Sequence, residues 1–270
     1  MDNLTHLSLF TGIGGIDLAA EWTGFTTVGQ VEFGSIQTQI LQKHWPNVSR
    51  WKDIHDFTAD EFFRRTKRRD VTLISGGFPC QPFSVCGKRM GASDDRALWP
   101  EYRRVISEIR PKWVIAENVP GLLTIDAGRY FRSILRDLSA MGYASAWGTL
   151  EASGVGAPHR RKRIFIVANS NSKRRDSLDE NQQKERDKFF AKVLDRSKAW
   201  SWVGAEENDL LLAGYRAIYS HGGHNNRNDD GLPCGVDRLK CLGNAVVPQQ
   251  IYPILEAIAT IERKTYEGRI

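Results

Sequence analysis

Apolar runs long enough to cross a bilayer are absent from this chain, and its first residues, MDNLTHLSLF, lack the basic start and long apolar stretch of an export leader. The expected compartment is the cytoplasm, with no membrane partner. Cysteine is scarce: Cys80, Cys86, Cys234 and Cys241 form no CxxC pair, and no His/Cys cluster has zinc-site spacing. A disulfide scaffold and a structural metal are disfavoured, and each thiol is by default a small buried hydrophobe. There is also no GxGxxG fingerprint and no P-loop lysine, which argues against a dinucleotide or triphosphate site.

What the chain does contain is 41% apolar residues in a length of 270, enough for one medium α/β domain with a small appended region. The formal net charge of +6 favours a polyanionic partner such as nucleic acid without specifying it. Strands are expected over residues 4–10, 27–32, 71–75, 113–116 and 164–168, and helices over 15–22, 35–44 and 101–109. Strand and helix in alternation predict an α/β fold of the Rossmann-like kind, a parallel sheet with helices on both faces. Composition shifts near Asn169: residues 169–188 are rich in Ser, Asn, Lys, Arg and Asp, and residues 220–231 include HGGHNNRNDDG. Residues 169–235 are therefore read as a separate inserted region. Helical spacing resumes at Ile251, Ile254, Leu255, Ile258 and Ile261, with Pro248 and Pro253 suiting the approach and first turn.

Three places concentrate residue types that chemistry needs. The run Phe10, Thr11, Gly12, Ile13, Gly14, Gly15 lies between an expected strand and helix, where glycines let a ligand approach the backbone. Glu32 ends the next strand, about where a carboxylate would reach a ribose hydroxyl pair, and Asp53 with Ile54 follows a third segment. The combination suits an adenosine ligand without phosphates, such as S-adenosylmethionine. The segment Gly76-Gly77-Phe78-Pro79-Cys80-Gln81-Pro82-Phe83-Ser84 follows a strand, and its glycines and prolines frame Cys80 in a stiff loop. Cys86 has no such frame and is read as a packing residue. Glu117 also follows a strand and would point to the same cleft, where desolvation raises a carboxyl pKa. In Ala157-Pro158-His159-Arg160-Arg161-Lys162-Arg163, strand alternation would send Arg161 and Arg163 to one face.

Taken in order, these pieces resemble the cytosine-C5 DNA methyltransferases. The ordered set is FTGIGG, Glu32, Asp53-Ile54, GGFPCQPFS, Asp95-Arg96-Ala97-Leu98, Glu117-Asn118-Val119, PHRRKR and Leu242-Gly243-Asn244-Ala245-Val246. It covers most of residues 4–168 and 236–262, with His159 standing where the family usually has Gln. The resemblance implies a catalytic domain over residues 1–168 plus 236–270, with residues 169–235 as the target-recognition region. It implies an S-adenosylmethionine pocket lined by Phe10, Thr11, Gly12, Ile13, Gly14, Gly15, Glu32, Asp53, Ile54, Pro79, Leu98, Asn244 and Val246. It places Cys80, Glu117, Arg161 and Arg163 around the target base. The implied partner is double-stranded DNA, the implied working form is a monomer, and a cognate restriction endonuclease would act separately. An RNA cytosine-C5 methyltransferase on the same framework and a catalytically silent DNA-binding module are the alternatives.

Overall fold

The computed structural model describes residues 4–79, 98–157, 159–170 and 243–266. Seven strands form one sheet: β1 (Thr5–Leu9), β2 (Thr26–Val31), β3 (Ser49–Trp51), β4 (Leu73–Gly77), β5 (Trp113–Asn118), β6 (Ala144–Glu151) and β7 (Lys162–Asn169). Their spatial order is β3-β2-β1-β4-β5-β7-β6. The α-helices among the described residues are α1 (Gly15–Trp22), α2 (Ser35–His44), α3 (Ala59–Thr66), α4 (Trp99–Ile109), α5 (Arg129–Ala140) and α6 (Pro248–Tyr266). None of them is long and apolar enough to cross a membrane.

Strands β1 to β5 run parallel, but β7 runs antiparallel to both β5 and β6. The wholly parallel sheet expected from the sequence is corrected at this edge. Only the 3-10 turn Ala152–Val155 and a few residues separate β6 from β7, too little chain for the crossover that a parallel pair needs. Pro253 is corrected too. It lies inside α6 rather than in its first turn, because the helix starts at Pro248, whose fixed φ suits the first helical position.

Alternation along the strands divides the core into two layers. Ile74, Val114, Ala116, Ile164 and Ile166 face α3, α4 and α5, where they meet Phe62, Tyr102, Ile106 and Ile134. Leu73, Trp113, Ile115, Phe165 and Val167 face the other way, against Ile16 and Ala20 of α1 and Ile251, Ile254, Leu255 and Ile258 of α6. Each such aliphatic side chain contributes roughly 1.5–3 kcal/mol when buried. The sheet is thereby clamped between helices, and its strand ends become fixed points. The strand order reverses between β1 and β4, so the loops leaving their C-terminal ends part above a crevice.

Candidate active site

The chain leaves β1 through the glycine turn. Phe10 takes a left-handed φ of 51°, which is costly for an aromatic residue, and its ring meets Tyr102 edge-on at 5.9 Å. The Thr11 N–H donates to the Val31 carbonyl at 3.1 Å, tying the turn to β2. The three glycines answer different needs. Gly12, at φ 60°, has nothing within 4 Å of where a Cβ would stand, so its backbone is open to the crevice. Gly14, at φ 86°, lies against the Trp45 indole. A Cβ on Gly15 would stand 2.1 Å from the Val246 carbonyl oxygen, so Gly15 is the place where the segment entering α6 docks on α1. Ile13 packs away from the crevice, with Ala152, Ala157, Ala245 and Val247.

Glu32 follows β2 and turns back to the glycine turn. Its Oε2 accepts the Gly12 N–H at 2.7 Å and its Oε1 the Gly34 N–H at 2.8 Å. Burial raises its pKa, and these two donors oppose the rise. The next residue, Phe33, is 69% exposed, with Lys52 Nζ 5.8 Å from its ring centroid. Asp53 accepts the His55 N–H at 3.0 Å and pairs with His55 Nδ1 at 2.7 Å, contacts that lower its pKa. Ile54 is buried in the main core beside Phe57, and Leu98, at the start of α4, packs partly buried against that same core.

Glu117 stands on β5 in register with Gly77 on β4. Strand alternation puts it on the α1 and α6 side, the side that Phe165 and Arg163 of β7 also face. Arg163 Nε lies 2.9 Å from Glu117 Oε1. Burial pushes the Glu117 carboxyl up to about 7, against the pull of Arg163 and Arg161. Gly77 makes the room, since a Cβ there would stand 2.7 Å from Glu117 Oε2. Asn118 Nδ2 donates to the Phe78 carbonyl at 2.9 Å, tying the loop after β4 to the end of β5. Pro79, half-buried, follows on that loop. Arg161 donates to the carbonyls of Gly243, at 2.7 Å, and Ala245, so its guanidinium links the start of β7 to the segment before α6. His159 is half-buried, and burial together with Arg161 and Arg163 lowers its pKa. Cys80, Cys86, Asp95, Arg96, Ala97, Cys234, Cys241, Leu242 and all but the first two residues of 169–235 lie outside the described residues.

These pieces line a small cleft that is open to solvent. Of the residues expected to line a cofactor pocket, it gathers Phe10, Thr11, Gly12, Gly15, Asn244 and Val246, and it adds Glu117 from the base side. Ile13, Gly14, Glu32, Asp53, Ile54, Pro79 and Leu98 stand behind or beyond that lining. Gly77 and Ala245, motif positions given no cofactor role by the sequence, line it as well, and Ser8, Leu9 and Ile16 line it from outside the motifs. Their signal is adjacency, because each sits within two residues of a motif position on the same strand end or turn. Among the described residues, neither lysine nor arginine lines the cleft. Its ionisable side chain is Glu117.

The sequence profile of the C-5 cytosine-specific DNA methylase family matches residues 4–209. Type II methyltransferase M.Sau96I of Staphylococcus aureus is 35% identical over 162 residues, a match covering 58% of this chain and 37% of that protein. Type II methyltransferase M.AquIA of a Picosynechococcus species is 33% identical over 175 residues, covering 60% of this chain and 71% of that protein. This chain thus spans well under two thirds of M.Sau96I. In three dimensions, the methyltransferase EhMeth of Entamoeba histolytica shares the fold, with a TM-score of 0.65 at 16% identity, covering 97% of this chain and 99% of that one. The family profile takes in most of the chain, both strand-end motifs included, and the chain belongs to the C-5 cytosine-specific DNA methylase family.

Proposed function

We propose that the protein transfers a methyl group from S-adenosylmethionine to C5 of a cytosine in double-stranded DNA, with Cys80 as nucleophile. The observation that carries this reading is Glu117, a buried carboxyl held near pKa 7 at the end of a parallel strand, in the same cleft as the glycine turn. Cytosine C5 is too electron-poor to accept a methyl cation directly. Thiolate addition at C6 pushes the ring electrons toward N3 and makes C5 nucleophilic. A carboxylic acid at N3 meets that developing charge, and it must be protonated to do so. Arg163 keeps the carboxyl aimed without fully ionising it.

The Gly12 backbone, Glu32, Phe33 and Asn244 would hold the adenosine end of the cofactor. When bound, S-adenosylmethionine supplies an electrophilic methyl group on a sulfonium centre. The Cys80 sulfur–C6 bond breaks once the C5 proton has left to a base. The target base must leave the duplex stack to meet both groups. Residues 169–235 would read the sequence around it, and the monomeric, cytoplasmic working form and a separate cognate endonuclease belong to the same proposal.

Fluorine at C5 cannot leave as a cation, so DNA carrying 5-fluorocytosine at the target should trap the protein in a denaturant-resistant complex, only with S-adenosylmethionine present. Cys80→Ser should abolish trapping, because an alcohol is a far weaker nucleophile at neutral pH. Cys86→Ser should leave it intact. Trapping by a folded Cys80→Ser protein would overturn the mechanism.

A further inference from the structure

Beneath α1 the sheet turns polar. Its face there carries His6, Ser8, Thr27, Gln30 and Ser75, all buried, whereas the same face on β7 carries Phe165 and Val167. His6 is satisfied by Thr27 at 3.0 Å and Ser75 at 2.7 Å, and burial pushes its imidazole down to about 3, so it stays neutral. The remaining group is a carboxyl that the methyl-transfer chemistry does not use. Asp17, in the first turn of α1, is fully buried. The Ser8 hydroxyl donates to its Oδ2 at 2.9 Å, and Gln30 Nε2 donates to its Oδ1 at 2.8 Å. Gln30 Oε1 in turn accepts from Arg50 Nε at 2.8 Å, and Arg50 ends on the carbonyls of Leu41 and Trp45 where α2 stops.

A buried carboxyl is a poor way to stabilise a fold, since an apolar side chain of similar volume serves as well or better. Desolvation pushes Asp17 up to about 6, with Glu21 on the next turn adding to the rise and the two side-chain donors opposing it. What the carboxyl provides is geometry. Ser8 lines the cleft. Gln30, on β2, stands two residues before Glu32, which follows that strand and holds the Gly12 N–H. A single carboxylate therefore fixes both strands that carry the cofactor-side wall.

We propose that Asp17 is a positioning residue of the cleft: through Ser8 and Gln30 it sets β1 against β2, and so sets where Glu32 holds the Gly12 amide. The inference rests on reading this cleft as the S-adenosylmethionine site. Two variants separate geometry from bulk stability. Asp17→Ala removes both acceptors. Asp17→Asn keeps an oxygen for Gln30 and offers an N–H that the Ser8 hydroxyl can accept.

Amide hydrogen exchange on the ligand-free full chain reads the network directly. Asp17→Ala should speed exchange at Gly12 and Gly34 by about tenfold or more while β4 and β5 hold, and Asp17→Asn should stay within about threefold of the parent. In turnover with S-adenosylmethionine, Asp17→Ala should raise the cofactor KM about tenfold and leave kcat within about twofold. The idea is overturned if exchange rises uniformly through the sheet, if Asp17→Asn behaves like Asp17→Ala, or if kcat falls while KM stays put. A parent protein that binds no S-adenosylmethionine would sink the cofactor reading instead, and the exchange data would still decide the role of Asp17.

Discussion

Glu32 follows β2 and Glu117 stands near the end of β5, two strands set apart by β1 and β4, and burial raises the pKa of both carboxyls. Their surroundings part them. Each oxygen of Glu32 takes a backbone N–H, from Gly12 and Gly34, so its charge is compensated by fixed dipoles on a turn. Glu117 instead has Arg163 beside it at 2.9 Å, and its pKa comes to rest at about 7. The lesson is that one sheet edge can make an acceptor of backbone amides and a carboxyl set against a guanidinium from the same residue type, by choosing what lies opposite.

Removing the titrating group should produce the largest effect. Glu117→Gln preserves shape and cannot pass a proton to N3, so kcat should fall by roughly 10²–10⁴, the range for a lost general acid. Calorimetry should show S-adenosylmethionine binding unchanged, which a collapsed cleft would not allow. The same variant has a stability signature. The folded pKa of about 7 lies above the ordinary 4.5, so stability linked to Glu117 is fully present below pH 4.5 and is lost as pH rises through 7. The loss amounts to at most about 3 kcal/mol. Urea melts from pH 4.5 to 8 should lose that slope in Glu117→Gln. A slope left undiminished by the substitution would mean that Glu117 is not the titrating group, since the raised pKa of Asp17 adds its own slope to either protein.

At the fixed carboxylate the expected effect is smaller and of another kind. Glu32→Ala frees the Gly12 and Gly34 amides and removes an acceptor for the ribose, charge-assisted bonds worth roughly 1.5–3 kcal/mol each. Cofactor affinity should weaken by about ten- to a hundredfold while DNA affinity holds. If DNA binding and cofactor binding fell together, the division of labour between the two carboxylates would be wrong.

Much of this arrangement is legible in the sequence because it rests on short-range patterns. Helices at Gly15–Trp22 and Ser35–His44 match their periodicity to the residue, and Glu32 and Glu117 stand out in the sequence because each comes at the end of a strand-like run. Four elements do not emerge from the strand-and-helix reading. β3 has three residues, and α3 carries a single buried side chain, Phe62. β6 is an edge strand half-buried nearly throughout, so its alternation is weak, and without it the antiparallel turn of β7 has no warning. α5 is different, for Tyr130, Phe131, Ile134 and Leu138 do keep helical spacing in the sequence. Side-chain partners are less legible than elements. Arg161 and Arg163 share a face by alternation, yet only the three-dimensional path of residues 243–247 puts the Arg161 guanidinium on the Gly243 and Ala245 carbonyls. Ile54 reads as a cleft residue from its motif and is core by its packing.

The subtlest difference between the two carboxylates lies in the glycines next to them. At Gly12 an added Cβ would meet nothing, whereas at Gly77 it would stand 2.7 Å from Glu117 Oε2. Gly77 also lies outside the left-handed region, so alanine there carries no backbone penalty and the test is purely steric. The atom in the way is the end of a side chain, which can yield, but its yielding means leaving the position facing Arg163 in a close-packed wall. Gly77→Ala should therefore lower kcat about tenfold, the cost of a catalytic group held off its productive position, with the cofactor Kd unchanged. Because the shift acts through Glu117, combining it with Glu117→Gln should add almost nothing further, so the two effects should be strongly non-additive. Independent, additive losses in the double variant would show that Gly77 matters for folding of the loop and not for the seat of the Glu117 carboxyl.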